Sequence, residues 1–299
     1  MGSLRALLVA SSVLGLATCA EAADLLPPPP ALEPGIYPSG PDFSGFYLRG
    51  DVGVGISTKN IAAVDQPSPL IGTPPDAFDS FYNTSLGAQG IYDVGVGYQY
   101  NNFLRFDLTG EYRGGGHFQG LEQVSVPSLT YQNANWYSGT VSSAIFMANA
   151  YVDVGTWYGV TPFVGGGVGF SHNMLTGMTD QGFTYPGNGA GYPTGGYFND
   201  ASTNNFAWAL MAGLDYNVSQ NLKLELGYRY LDYGKIQSGA SNCFNGTGSG
   251  GGFSAANCGG SSHTIVTNRL ASSDFRLGMI WMLEPPAPPP QPQPLVRRY

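Results

Sequence analysis

After its N-terminal stretch the chain has no apolar run approaching the roughly 20 residues that a membrane-spanning helix needs. It is poor in charge, at 11% Asp, Glu, Lys and Arg, and poorest in positive charge, with 12 Lys and Arg against 20 Asp and Glu and a net charge of -8. That balance, without a cluster of Lys and Arg, excludes a phosphate-binding surface for nucleic acid. There are only three His and three Cys, and no H-E-x-x-H, C-x-x-C or G-x-S-x-G motif, so the signatures of a zinc protease, a redox dithiol and an α/β-hydrolase are missing. What the chain has instead is 44 Gly, 19 Tyr and 16 Phe in 299 residues, a composition that favours strands. If such a chain enters a membrane, it does so as a closed sheet.

Residues 1–22 read as a secretory signal: Arg5, an apolar run from Ala6 to Ala17, then Ala20-Glu21-Ala22 as an A-x-A cleavage site, with Ala23 opening the mature chain. Lipidation at Cys19 is the alternative, disfavoured by Thr18 before it. Cleavage after Ala22 leaves Cys243 and Cys258, an exported pair in one polar segment and hence a disulfide candidate. Its loop-closure effect is on the order of 3 kcal/mol.

Alternation of period two runs through the rest. From Phe46 to Ser57, Phe46, Leu48, Val52, Val54 and Ile56 share one face, and Tyr47, Arg49, Asp51 and Ser57 the other. In 91–101, Tyr92, Val94, Val96, Tyr98 and Tyr100 oppose Asp93, Gly95, Gly97 and Gln99. In 102–113, Leu104, Phe106, Leu108 and Tyr112 oppose Arg105, Asp107, Thr109, Glu111 and Arg113. Further strands are expected over 136–153, 157–171, 205–217, 221–233 and 270–283, which makes eight. Short turns at Asn101-Asn102, Asp153 to Thr156 and Asn217 to Asn221 alternate with long polar segments at 58–90, 114–135, 172–204 and 234–269. The expectation is an all-β, eight-stranded antiparallel up-and-down transmembrane barrel, with periplasmic turns and extracellular loops. Its domains would be 1–22 signal peptide, 23–42 Pro-rich periplasmic leader, 43–283 barrel and 284–299 Pro-rich periplasmic tail.

Alternation leaves open whether the apolar face meets lipid or encloses a core, as in a soluble lipocalin-like barrel. The ionic inventory favours lipid. The polar faces carry Arg49, Arg105, Arg113, Lys223, Arg229 and Arg276 beside Asp51, Asp93, Asp107, Glu111, Asp215, Glu225 and Asp274. Charges so nearly balanced suit a narrow lumen filled by long paired side chains. Tyr98, Tyr100, Tyr112, Tyr216, Tyr228, Tyr230 and Trp281 lie on the apolar faces, as in an interfacial girdle. In the last strand Gly278, Trp281 and Leu283 fit a pattern that resembles the recognition signal of the outer-membrane insertion machinery.

Three segments carry a family resemblance: Ala22-Ala23-Asp24-Leu25; Phe43-Ser44-Gly45-Phe46-Tyr47; and Leu222-Lys223-Leu224-Glu225-Leu226-Gly227-Tyr228-Arg229-Tyr230-Leu231-Asp232-Tyr233-Gly234. With the final strand, the chain resembles, over roughly 43–283, the small OmpA-like or porin-like outer-membrane barrels of alphaproteobacteria, which include the major outer-membrane antigens of Brucella and the Bartonella haemin-binding proteins. The resemblance implies a Gram-negative outer-membrane location and a barrel rather than an activity. Members typically stop with an aromatic residue at the end of the last strand, whereas here Glu284 to Tyr299 follow.

Candidates for chemistry are few. His117, His172 and His263 are expected in loops, as solvated residues or as contacts to haem or metal. Gly165-Gly166-Gly167-Val168-Gly169 superficially resembles a dinucleotide loop, but the flanking Phe163, Val164 and Phe170 continue a strand. The expected role is therefore structural: envelope support and display of surface loops for interaction or adhesion, with no enzyme activity, no cofactor and no metal. The alternatives are a small-solute channel, a haem-binding surface protein and a lipid-modifying barrel enzyme. Expected partners are outer-membrane lipid and lipopolysaccharide, the insertion machinery, and peptidoglycan through the tails, where Arg297 and Arg298 could meet an anionic polymer. Nucleic acid is not among them.

Overall fold

A computed structural model describes residues 44–57, 61–66, 73–245, 258 and 262–283. The signal peptide with Cys19, the leader and the tail lie outside the described residues. In chain order the strands are β1 (Gly45–Ser57), β2 (Ala63–Gln66), β3 (Phe78–Leu86), β4 (Gln89–Asn101), β5 (Leu104–Val126), β6 (Tyr131–Asp153), β7 (Val160–Tyr185), β8 (Tyr192–Phe198), β9 (Ala201–Asn217), β10 (Leu222–Gly234), β11 (Ser241–Asn245), β12 (Thr264–Thr267) and β13 (Leu270–Met282).

Hydrogen bonding passes from β1 to β4, β5, β6, β7, β9, β10 and β13 and back to β1, every step antiparallel. The sheet thus closes on itself and has no edge at this level. Its wall alternates as the sequence does: on β1, Leu48 and Val52 are 50% and 53% exposed, while Arg49 and Asp51 are 5% and 4%. The exposed face is apolar around the wall, so its solvent is lipid. Aromatic residues bound this band at both ends. Phe46, Tyr98, Tyr216 and Trp281 stand beside the short turns, and Tyr92, Tyr112, Tyr228 and Phe275 at the opposite rim.

The interior is narrow enough to dictate glycine. A Cβ on Gly97 would run into the Tyr47 ring, and one on Gly165 or Gly167 into Tyr151 or Asn149. The run Gly165 to Gly169 therefore lies within β7 and makes room for lumen side chains.

The four long polar segments depart from expectation. Instead of loops, β5, β6 and β7 continue as strands far beyond the apolar band, and β3, β8 and β11 join the same sheet, which has eleven strands. Eight of these strands form the closed ring, and β3, β8 and β11 are added to it in the cap. β5 and β6 pair from Leu104↔Val152 up to Val126↔Tyr131, closed by a 3-10 turn at Pro127–Leu129 with Thr130 left-handed at φ 53°. The seventh-strand pairing changes partner on the way up: β9 accompanies β7 to Leu175, and β8 takes over from Thr179. β2 and β12 form a separate two-stranded sheet. The segment before β11 lines up with the one around β12 through Ser238 N to Ile265 O and Ser241 N to His263 O, both 2.9 Å. These elements make a cap on the end of the barrel opposite the short turns.

Candidate functional site

The interior is layered. In the membrane-level layer each arginine meets several carboxylates. Arg49 donates to both Asp51 oxygens at 2.9 Å, to Asp107 at 2.8 Å and to Glu225 at 2.9 Å. Arg105 forms ion pairs with Asp215 at 2.8 Å and Asp153 at 3.3 Å, its guanidinium held between the Tyr151 and Phe163 rings. Arg113 and Arg229 share Glu111 and Asp274. Arg276 bridges Asp51 and Asp93. Lys223 donates to Gln99 at 3.4 Å. All thirteen residues expected in a lumen network are buried. Gln99 lies on the polar face where the alternation put it; the sequence reading missed Asp153, which it placed in a turn, together with Asn149 and Tyr151. Inward parity along β6, through Asn149, Tyr151 and Asp153, is the signal that finds them. β6 also sends Ile145 and Met147 inward, so the lumen is not uniformly polar.

Above the ions sits an apolar plug, including Phe118, Tyr137, Val141, Leu175, Phe198 and Leu231, all buried. The expected insertion-signal residues occupy ordinary barrel positions: Gly278 faces Asp51 in the lumen, while Trp281 and Leu283 are exposed on the outer wall.

The cap holds a second polar group, outside the membrane band. Glu122 accepts from Tyr137 Oη at 2.7 Å and Asn135 Nδ2 at 3.0 Å. Asp65, Asp79 and Asp180 stand near it, on β2, β3 and β7. Among the described residues no Lys or Arg pairs with any of the four. Burial, then the charge of Glu122, pushes Asp65 up to about 8, Asp180 to about 7 and Asp79 to about 6. Burial also raises Glu122, against the pull of its Tyr137 and Asn135 donors. Burial lowers His263.

The three histidines stand on or beside strands rather than in loops, and apart from one another. His117 on β5 contacts Ser138 Oγ at 3.4 Å, and His172 on β7 contacts Asn204 Oδ1 at 2.7 Å. His263, just before β12, has Nδ1 3.1 Å from Ser241 Oγ and Nε2 3.8 Å from Asp65 Oδ2. Ser241, His263 and Asp65 have the residue types of a nucleophile, base and acid. The serine is 1% exposed, however, and its Oγ accepts the His263 backbone N–H at 2.9 Å, so no substrate carbonyl can reach it. Cys243, Cys258 and His263 offer ligand atoms within 4.8 Å of one another. The two sulfurs are bonded as a disulfide, which removes the thiolates a metal would need.

Residues 10–256 match the family model of the outer membrane protein beta-barrel domain. The chain belongs to this outer-membrane β-barrel family. It is 31% identical over 245 residues to an uncharacterized protein of Brucella abortus, covering 76% of this chain and 81% of that one. It is 25% identical over 205 residues to outer membrane protein PagN of Salmonella typhimurium, covering 64% and 73%. A Rickettsia conorii protein whose name carries the word adhesin is 29% identical over 158 residues, covering 49% and 54%. The barrel is thus a protein of the cell outer membrane, its short turns at the periplasmic end and its cap at the surface.

Proposed function

We propose that this outer-membrane barrel is a surface-display protein that engages other surfaces through its cap and supports the envelope through its membrane-embedded wall. The observation that carries this reading is the sealed interior beneath a sheet-built cap. A salt-bridged lumen and an apolar plug occupy the barrel, while β5, β6 and β7 extend outward as paired strands. Such a cap presents side chains at little conformational cost. Phe78, Tyr82, Leu129, Trp136, Phe183 and Tyr185 are exposed on it, the kind of aromatic surface that anchors interfaces. The adhesin name of the Rickettsia relative lends support.

A solute channel receives less support, because the buried ion pairs fill the lumen. So does haem capture, the property implied by the resemblance to Bartonella haemin-binding proteins, since the histidines stand apart. Lipopolysaccharide, the insertion machinery and peptidoglycan stand as proposed partners, as does a mature start at Ala23.

The test compares the intact protein with a variant in which residues 119–138 are replaced by Asn-Gly, joining Phe118 to Gly139, which face each other across the hairpin. Bacteria displaying the intact protein should bind cultured cells or matrix proteins, and those displaying the variant should not. Both proteins should keep the heat-modifiable migration of a folded barrel and give no planar-bilayer conductance. Equal binding by the two, or steady conductance by the intact protein, overturns the proposal.

A further inference from the structure

Cations are scarce in this protein, and where they stand is informative. Arg49, Arg105, Arg113, Lys223, Arg229 and Arg276 are all buried in the lumen. Among the described residues the only other Lys and Arg are Lys235 and Arg269, and both are exposed. They are neighbours, because Gly234 pairs with Leu270 and Thr267 N donates to Ile236 O, which brings positions 235 and 269 together where β10 and β13 leave the barrel. Directly below them on the outer wall lies the upper aromatic rim. Trp208 and Tyr230 pack at 5.6 Å, as do Tyr228 and Phe275, and Phe206 is exposed.

Both residues are held in place. Arg269 donates through Nε to Asp232 Oδ1 at 2.9 Å and through Nη2 to the Phe206 carbonyl at 2.8 Å, so its guanidinium lies against the wall from β13 toward β9. Those contacts leave further guanidinium N–H donors for another acceptor. The backbone of Lys235 is clamped by Asn205, which donates to its carbonyl at 3.0 Å and accepts its N–H at 3.1 Å.

We propose that Lys235 and Arg269 form a docking site for an anionic headgroup, the phosphate of an outer-leaflet lipid. An aromatic rim marks the depth at which headgroups lie, and cations at that depth attract anionic lipid. Asp232 balances the Arg269 charge, so Arg269 supplies oriented donors and Lys235 the net positive charge. A lipid occupant is favoured over a soluble anion because the pair sits on the lipid-facing wall, where acyl chains meet the exposed Phe206 and Phe275. The site does not depend on adhesion by the cap.

The test uses the full-length folded protein and compares wild type, Lys235→Gln combined with Arg269→Gln, and Lys235→Arg. Each is reconstituted with phosphatidylcholine alone, with phosphatidylcholine containing bisphosphorylated lipid A, or with the same lipid A mixture plus millimolar inorganic phosphate. Lipid retained after detergent extraction is read by native mass spectrometry. Wild type and Lys235→Arg should retain lipid A, and the double variant should retain about fivefold less or lower still, while all three keep heat-modifiable migration. Equal retention by wild type and the double variant overturns the proposal, and so does displacement of lipid A by millimolar inorganic phosphate.

Discussion

Raising the pH should loosen the cap while leaving the barrel closed. Asp65 and Asp180 have folded-state pKa values of about 8 and about 7, well above the ordinary carboxylate value of 3.8. A carboxyl raised on folding contributes stability that is complete below its unfolded pKa and is lost as the pH climbs through its folded pKa. The window therefore runs from about pH 4 to about pH 8, steepest below 7, where both carboxyls contribute, and levelling off above 8. For Asp180, at about 1.4 kcal/mol for each pH unit, the displacement corresponds to on the order of 4 kcal/mol. Local opening of a cap of short strands is sensitive to a change of that size. The perturbation is Asp180→Asn, which removes one charge facing Glu122 and keeps the shape. Amide exchange in β2, β3 and β8 at pH 5.5 and 8.5, corrected for intrinsic rate, should show wild-type opening favoured at the higher pH and a flatter response in the variant. Amides of β1, β4 and β13 at membrane level should not respond. Equal opening free energies at the two pH values in the wild type would refute the reasoning, as would an unchanged pH response in the variant.

Two further outcomes are expected. Arg49→Met leaves Asp107 without a cation among the described residues and removes one of the two that serve each of Asp51 and Glu225, and should lower the refolding midpoint in lipid vesicles by an equivalent of about 3–5 kcal/mol; Arg113→Met should cost less, because Arg229 still covers both of its carboxylates, Glu111 and Asp274. Replacing Cys243 and Cys258 together by Ala removes a crosslink on the order of 3 kcal/mol and should speed proteolysis of the cap at neutral pH without moving that midpoint.

Much of the barrel is legible in the one-dimensional pattern because a strand in a one-layer wall has two solvents. Lipid on one side and a packed lumen on the other impose a period of two, so Leu48, Val52 and Val54 declare the outside and Arg49 and Asp51 the inside without knowledge of any neighbour. Near-equality of lumen cations and anions is visible in the same way. The choice of partners is not: Arg105 meets Asp153, Asp215 and Glu225 from three other strands, and that grouping depends on the stagger with which the sheet closes. The cap was invisible for a related reason. Segments such as 114–135 are rich in Gly, Ser, Gln and Asn, a loop composition by local criteria. They are strands because β5 and β6 pair with each other and with β3 and β7, and such pairing satisfies the backbone whatever the local propensity. Asp65, Asp79, Glu122 and Asp180 are scattered over more than a hundred residues, on strands of the cap. Only closure of the tertiary structure brings them side by side, Asp65, Glu122 and Asp180 buried and Asp79 half-buried, with no ion pair to Lys or Arg among the described residues, and turns ordinary surface acids into a proton-sensitive group.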